Sequence, residues 1–569
     1  MEQCPHQKFR CGLESSHQGK FCPLIRSKRH CRVKFDFVIV GAGSAGCVLA
    51  NRLSACGRYN VALIEAGGRD NSPWIRLPAG YFRTMGNPNF DWCFRTKAES
   101  EIFNRSIPWP RGKVLGGSSS INGLLYVRGQ KEDFDHWLAM GNNGWGWVDV
   151  LPYFQKLERC DKSKRDDYSN CRGFDGLVSI SEIPTKRKIV DAWINSAVSM
   201  GYPRNMDYNG ENQFGVGYFQ QTSYNGMRSS SATAYLQQCK NRQNLKIITN
   251  TIVEKIIFEG LRAVGIQFKG PDGKTNIQVA EELILSAGTI GSPHLLMVSG
   301  VGCGHMLSSK DINVVKELPG VGKNLQDHLQ ARPIYKCKTD TLNTEIRSLF
   351  KLAKIGVQYL IYKSGPMAMA ASLGVGFLKT NNKYKRPDIQ FHIQPFSMDK
   401  PSLTGLHSFD AFTASITQLR PHSVGEISIN TPLIEDHPSI RPNYLSSQKD
   451  CRVLIKGVKI AREISVAEPL KQLVVQEYSP GDKVKVDDDL AILEWIRKNA
   501  VTIYHPTGTC KMGNDHLSVV DHRLRVHGVL GLRVVDASIM PKITSGNTNA
   551  PTMMIGEKAS DMILQDIIR

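Results

Sequence analysis

Apolar positions near the start of the chain recur in the two periods that mark a strand and then a helix. Residues 35–40 are a short, largely apolar, β-branched run, as a strand buried on both faces requires. Residues 45–53 follow with a helical spacing, and Val61-Ala62-Leu63-Ile64 supplies a second apolar strand that ends at Glu65. From 67 to 130 the periodicity gives way to Pro, Gly, Trp and Arg, a long stretch of loops that needs something to wrap. Residues 148–154 read as the start of a helix with Leu, Tyr and Phe on one face, and residues 245–248, 252–258, 263–268 and 282–285 as short strands. A further helix is expected to open at 288. From 336 to 498, strands such as 388–393 mix with helices such as 453–466, without internal repeats or a chemical motif. The pattern predicts an α/β chain, α+β overall, of two or more domains.

Between the first strand and the first helix stands Gly41-Ala42-Gly43-Ser44-Ala45-Gly46, which fits GxGxxG. The first glycine makes the tight turn, the second lets backbone N–H groups approach a pyrophosphate, and the third permits close packing of helix on strand. The phosphate charge would meet the positive end of the helix that begins near Ser44. Alone the motif is weak. The strand before it, the helix after it and an acid, Glu65, about 20 residues past the turn, where a ribose hydroxyl would be held, make it a dinucleotide site. NAD and FAD both bind such a turn. Two more glycine-rich runs, at 112–122 and 288–302, offer backbone that could come close to a flat ring or a phosphate.

Composition narrows the classes. The 569 residues are 41% hydrophobic with no apolar stretch long enough to cross a bilayer, so no spanning membrane segment is expected. The net charge of +20 and pI near 9.3 favour anionic partners, but the basic residues are dispersed and no nucleic-acid motif accompanies them. Fourteen cysteines without CxxC pairs or ligand spacing give neither a metal site nor a deducible disulfide framework. Residues 1–33, with Cys4, Cys11, Cys22 and Cys31, lack the apolar core of a secretory signal and read as a disordered or targeting leader; mitochondrial and cytoplasmic locations both fit.

Five ordered stretches then carry a resemblance. They are the run from Gly112 to about residue 135, the run from Gly288 through Gly302, Leu318-Pro319-Gly320-Val321-Gly322-Lys323-Asn324-Leu325-Gln326-Asp327-His328, Tyr504-His505-Pro506-Thr507-Gly508-Thr509, and Val534 to Thr552. From residue 34 to the end the chain resembles the glucose–methanol–choline (GMC) oxidoreductases, FAD-dependent alcohol oxidases and dehydrogenases. The resemblance implies a Rossmann-like FAD-binding domain (34–185, 240–335 and 500–569) and a substrate-binding domain built on an antiparallel sheet with helices (186–239 and 336–499). It assigns the pyrophosphate to Gly41, Gly43, Ser44, Ala45 and Gly46, the ribose to Glu65 and the adenine to Val253. Val114, Gly117, Asn122 and Leu124 would line the flavin, Asp536, Ala537 and Asn549 would close from the C-terminal side, and Trp92 would add a contact.

For catalysis the family pattern calls for a histidine and a second His or Asn beside the flavin N5, positions matched here by His505 and Asn547. An alcohol gives up a hydride only as its O–H proton is taken, which is work for a histidine near neutral pH. An amide can orient the hydroxyl and stabilise the developing oxyanion. A shift of register would exchange Asn547 with Asn549. The remaining histidines, His328 and His422 among them, read as structural. Members that bind FAD covalently have a histidine where this chain has Ile121, so non-covalent FAD is expected. The light-driven decarboxylases have a cysteine where Leu419 stands. Choline-specific members read Ser-Cys-Thr where this chain has Thr507-Gly508-Thr509, so choline is not favoured. The expected function is oxidation of a primary or secondary alcohol, with oxygen, a quinone or another electron acceptor. A hydroxynitrile-lyase-like enzyme and a catalytically silent flavoprotein scaffold are the alternatives. Oligomeric state, substrate identity and the choice between oxidase and dehydrogenase stay open.

Overall fold

The computed structural model describes residues 34–568 except 169, 271–272 and 400–404, so the expected leader lies outside the described residues. The first sheet is built from β1 (Lys34–Val40), β2 (Val61–Ile64), β3 (Leu245–Ile248), β4 (Ile252–Glu259), β5 (Arg262–Gly270), β6 (Gly273–Leu285) and β7 (Leu532–Val534). β3, β2, β1 and β6 lie side by side in parallel. Their side chains are almost wholly buried in β1 and β2, which explains the apolar runs. β6 is 13 residues long and serves two partners on its other edge: antiparallel β5 along its first half, parallel β7 at Leu283–Leu285. Only residues 282–285 of β6 stand out in the sequence, because Ile277 and Val279 alternate with polar residues on a half-exposed meander.

Three helices meet this sheet: α1 (Ser44–Leu53), α2 (Gly288–Val298) and α3 (Asn549–Ile568). α1 and α3 pack side by side so closely that a Cβ on Gly556 would lie 3.0 Å from the Val48 Cβ.

A second sheet is antiparallel throughout, in the order Val474–Ser479, Ile334–Cys337, Ala411–Gln418, Ile389–Gln394, Gly374–Leu378, Gly215–Tyr218. All eight residues of Ala411–Gln418 are buried, with helix Gln448–Ser465 on one face. Leu329–Ala331 pairs with Ala411–Gln418 and with Val501–Thr502. Both short strands fall within the ranges expected for the nucleotide domain, since an apolar strand carries no mark of which sheet it will join. Their pairing matters for the site. It sets Asp327 and His328 beside the turn that leads to His505, with the Ile503 N–H donating to the His328 carbonyl at 3.1 Å.

A buried charge cluster fixes the segment that runs along the site. Glu158 accepts from the Tyr126 hydroxyl and Arg128 Nε, both at 2.6 Å, and from Arg172 Nε at 3.1 Å; Arg172 also holds Asp207 at 2.6 Å. Both guanidiniums and the Glu158 carboxylate are fully buried.

Candidate active site

The N-terminal ends of α1, α2 and α3 converge on one cavity of about 710 Å³, which runs between the two sheets. Three helix ends supply unpaired N–H groups and partial positive charge to a shared space, a cradle suited to a pyrophosphate. The Ser44 hydroxyl donates to Asn549 Oδ1 at 2.7 Å and locks two of these ends together. Gly46 lies behind them: a Cβ there would sit 1.9 Å from the Gly41 carbonyl oxygen, so the residue is required for packing rather than contact. At Gly117, in left-handed backbone with φ +53°, a Cβ would meet the Gly43 Cα at 2.7 Å, so the first two glycine turns press against each other.

Glu65 accepts from the N–H groups of Ala42 and Gly67, both at 2.9 Å, while burial pushes its carboxyl up to about 7. Asp536 accepts from the Gly288 N–H at 2.9 Å and the Ser292 hydroxyl at 2.6 Å, and pins the start of α2. Trp92, Asn122, Leu124, Val253 and Ala537 line the cavity with them. Val114 does not. It is buried against Ile75 and Ile121, behind the wall, and its backbone bridges Gly68.

His505 and Asn547 also line the cavity. Asn547 Nδ2 is 3.0 Å from His505 Nε2, and the other ring nitrogen of His505, Nδ1, is 3.0 Å from His328 Nδ1. His328 Nε2 in turn is 3.0 Å from the Leu419 carbonyl oxygen. A carbonyl only accepts, so His328 Nε2 carries a proton and, in a neutral ring, its Nδ1 is a lone pair. His505 Nδ1 must therefore be the donor between the two rings, which leaves His505 Nε2 as a lone pair that accepts from the Asn547 amide. The run of bonds leaves His505 Nε2 unprotonated, with the Asn547 amide as its partner.

His328 is thus a correction to the expectation of a merely structural residue: it sets the tautomer of His505. The contact depends on strand pairing between segments far apart in the chain. Its one signal was membership in the Gln326-Asp327-His328 stretch. His422, by contrast, does not line the cavity; its backbone N–H donates to Asp450.

Burial lowers the pKa of His505 well below 6.5, with His328, His392 and Arg111 adding repulsion to the imidazolium. Burial likewise lowers His328 to about 4. Asp327 steadies the backbone: it accepts from the His505 N–H at 2.8 Å, the Thr502 hydroxyl at 2.6 Å and the Tyr444 hydroxyl, while burial lifts its carboxyl to about 6. Tyr504, just before His505, is held at φ +68°, a strained conformation for a bulky residue, with its carbonyl taken by Arg111 at 2.6 Å. Asn547 and Asn549 are separated by position: the first is on His505, the second on Ser44.

Two family models described as GMC oxidoreductase match residues 35–330 and 421–556. An alcohol dehydrogenase [acceptor] from Pseudomonas putida is 39% identical over 94% of this chain and 96% of that protein. An oxygen-dependent choline dehydrogenase from Brucella suis biovar 1 is 40% identical over 93% of this chain and 95% of that protein. Among solved structures, an Aspergillus oryzae RIB40 formate oxidase described for its FAD modification superposes with a TM-score of 0.87 at 28% identity, over 94% of this chain and 98% of that one. The chain belongs to the GMC oxidoreductase family.

Proposed function

We propose that the chain binds FAD without a covalent link and oxidises a primary or secondary alcohol to a carbonyl. His505 acts as the base and Asn547 as its hydrogen-bonding partner. The observation that carries this reading is the run of hydrogen bonds from Leu419 through His328, which leaves the His505 Nε2 lone pair facing the cavity beside an amide. The relatives named for alcohol and choline dehydrogenation, and the FAD-bearing structural neighbour, support it.

The cradle fits the cofactor. Residues 41–45, the start of α2 and Asn549 would hold its phosphates and Glu65 its ribose. FAD, when bound, supplies the hydride acceptor that the chain's own side chains lack. His505 Nε2 takes the hydroxyl proton, and Asn547 Nδ2, released from the ring, can donate to the alcohol oxygen as negative charge develops there. The domain division at 34–185, 240–335 and 500–569 against 186–239 and 336–499 belongs to this reading, with Leu329–Ala331 and Val501–Thr502 as strands that lead from the substrate sheet to the base.

An uncharged alcohol suits the cavity better than a quaternary ammonium. Glu65, Asp91 and Asp536, which line it, are each engaged by backbone N–H groups, whereas Arg332 presents a guanidinium whose Nε has no partner. Anaerobic bleaching of the flavin by a panel of alcohols tests the function. Release of carbonyl product without bleaching would instead favour a lyase, and no response to any alcohol would favour a silent scaffold.

Ile121, buried against Ile75 and Val114, offers no nucleophile to the flavin. Acid precipitation is therefore expected to leave the flavin in the supernatant, read by its absorbance; flavin in the pellet refutes the non-covalent assignment. A second expectation concerns pH. Only neutral His505 accepts a proton, and its lowered pKa places the loss of that form well below 6.5. The rate of anaerobic flavin reduction should hold level as pH falls through 6.5 and decline only in more acid buffer. A midpoint at or above 6.5 would contradict a buried base.

A further inference from the structure

Helix Leu349–Tyr362 is turned inside out relative to an ordinary surface helix. Only Ile355 and Tyr359 are buried, and the Tyr359 hydroxyl donates to the Gly226 carbonyl at 3.1 Å. The opposite stripe, at the 3.6-residue period, is apolar: Leu349, Phe350, Val357, Leu360 and Ile361 all point outward. Leu349 is 84% exposed, Phe350 81% and Leu360 70%. A contiguous patch of this kind marks an interaction surface. The helix rests on the turn Pro366–Ala368, which packs on Pro78–Gly80, next to the segment whose Tyr81 and Phe82 line the cavity.

Charge selects the occupant. No acidic residue occurs between Glu345 and Asp388, while Arg347, Lys351, Lys354 and Lys363 flank or interrupt the apolar stripe, and the whole chain carries +20. Lys351 meets Asp340 at 2.8 Å, and Lys354 stands exposed on the outward face. A second copy docked about a two-fold axis would set these cations against themselves. An anionic lipid surface would neutralise them while its acyl boundary covered the stripe. At about 21 Å, from 14 residues at ~1.5 Å each, the helix is too short to span a bilayer, and among the described residues no helix is long and apolar enough to do so. We propose that helix Leu349–Tyr362 seats the protein on an anionic membrane surface, lying in the interface plane with Leu349, Phe350, Val357, Leu360 and Ile361 inserted.

Flotation of the full chain with phosphatidylcholine vesicles containing phosphatidylglycerol tests this, against vesicles of phosphatidylcholine alone. The combined variant Leu349→Ser, Phe350→Ser, Leu360→Ser and Ile361→Ser leaves the charge unchanged. Its fold is checked by flavin content and by flavin bleaching in solution, both expected to match wild type. The wild type should float with the anionic vesicles, the variant at least about tenfold less. In a Phe350→Trp variant, brominated lipid should quench fluorescence at the new tryptophan beyond that of the parent. Equal flotation of variant and wild type would assign binding to diffuse charge and overturn the proposal. So would a wild type that does not float, or one that sediments as a dimer which the serine variant dissociates.

Discussion

His505→Ala is expected to yield a protein that still binds FAD but reduces it roughly 10²- to 10⁴-fold more slowly with a good alcohol, the range that a positioned base contributes. The variant removes the only ring nitrogen that the hydrogen-bond sequence leaves as a lone pair on the cavity. It leaves untouched the three helix ends of the cofactor cradle, so flavin content separates a lost base from a lost fold. Stopped-flow absorbance under argon is the measurement. The loss should fall chiefly on the limiting rate of reduction rather than on the alcohol concentration that half-saturates it, because the proton is accepted in the transition state. Unimpaired reduction would assign the base elsewhere.

Glu158→Ala should cost about 3–5 kcal/mol of stability, the penalty for leaving a buried partner charge unmatched. Arg128 loses its 2.6 Å carboxylate contact while fully buried, and Arg172 keeps Asp207 as its carboxylate partner, with Gln220 and Cys160 beside it. Burial by itself would raise the Glu158 carboxyl, but Arg128 and Arg172 prevail and hold it at about 2. With the folded pKa below an unfolded value of about 4.3, this contribution is present above that value and fades as pH falls toward 2. Urea unfolding at neutral pH reads the loss as a lower midpoint. A variant within about 0.5 kcal/mol of wild type would show that the two guanidiniums find other partners. Because Tyr126 and Arg128 follow directly on the cavity-lining Asn122 and Leu124, some loss of bound flavin should accompany it.

Much of this is readable in the sequence, for reasons that differ by region. β1, the glycine turn and Glu65 are local: a buried strand, a tight turn and a strand-end acid each need particular residue types at fixed spacing. His505 and Asn547 came through resemblance, since neither periodicity nor spacing marks them. His328 escaped because its part depends on which nitrogen faces which ring, a matter settled by the pairing of Leu329–Ala331 with Val501–Thr502. The first half of β6 escaped because a half-exposed strand alternates and so lacks a continuous apolar run. Val114 is placed less plainly by its sequence. Its glycine-rich signature points to the flavin, while its side chain packs with Ile75 and Ile121.

The hydrogen-bond sequence beneath His505 also decides where a captured proton can go. Once Nε2 is protonated, the charge can be shared with His328 through the bond between the two Nδ1 atoms, but there it stops: beyond His328 lies the Leu419 carbonyl, which cannot accept a proton for onward transfer. Burial opposes lasting charge on either ring. The inner side of the dyad is a blind alley, so under the proposed function the proton would leave by the face through which the alcohol enters. Departure of a carbonyl product and discharge of His505 would then share one doorway, so a slowly leaving product would hold the proposed base in its spent form.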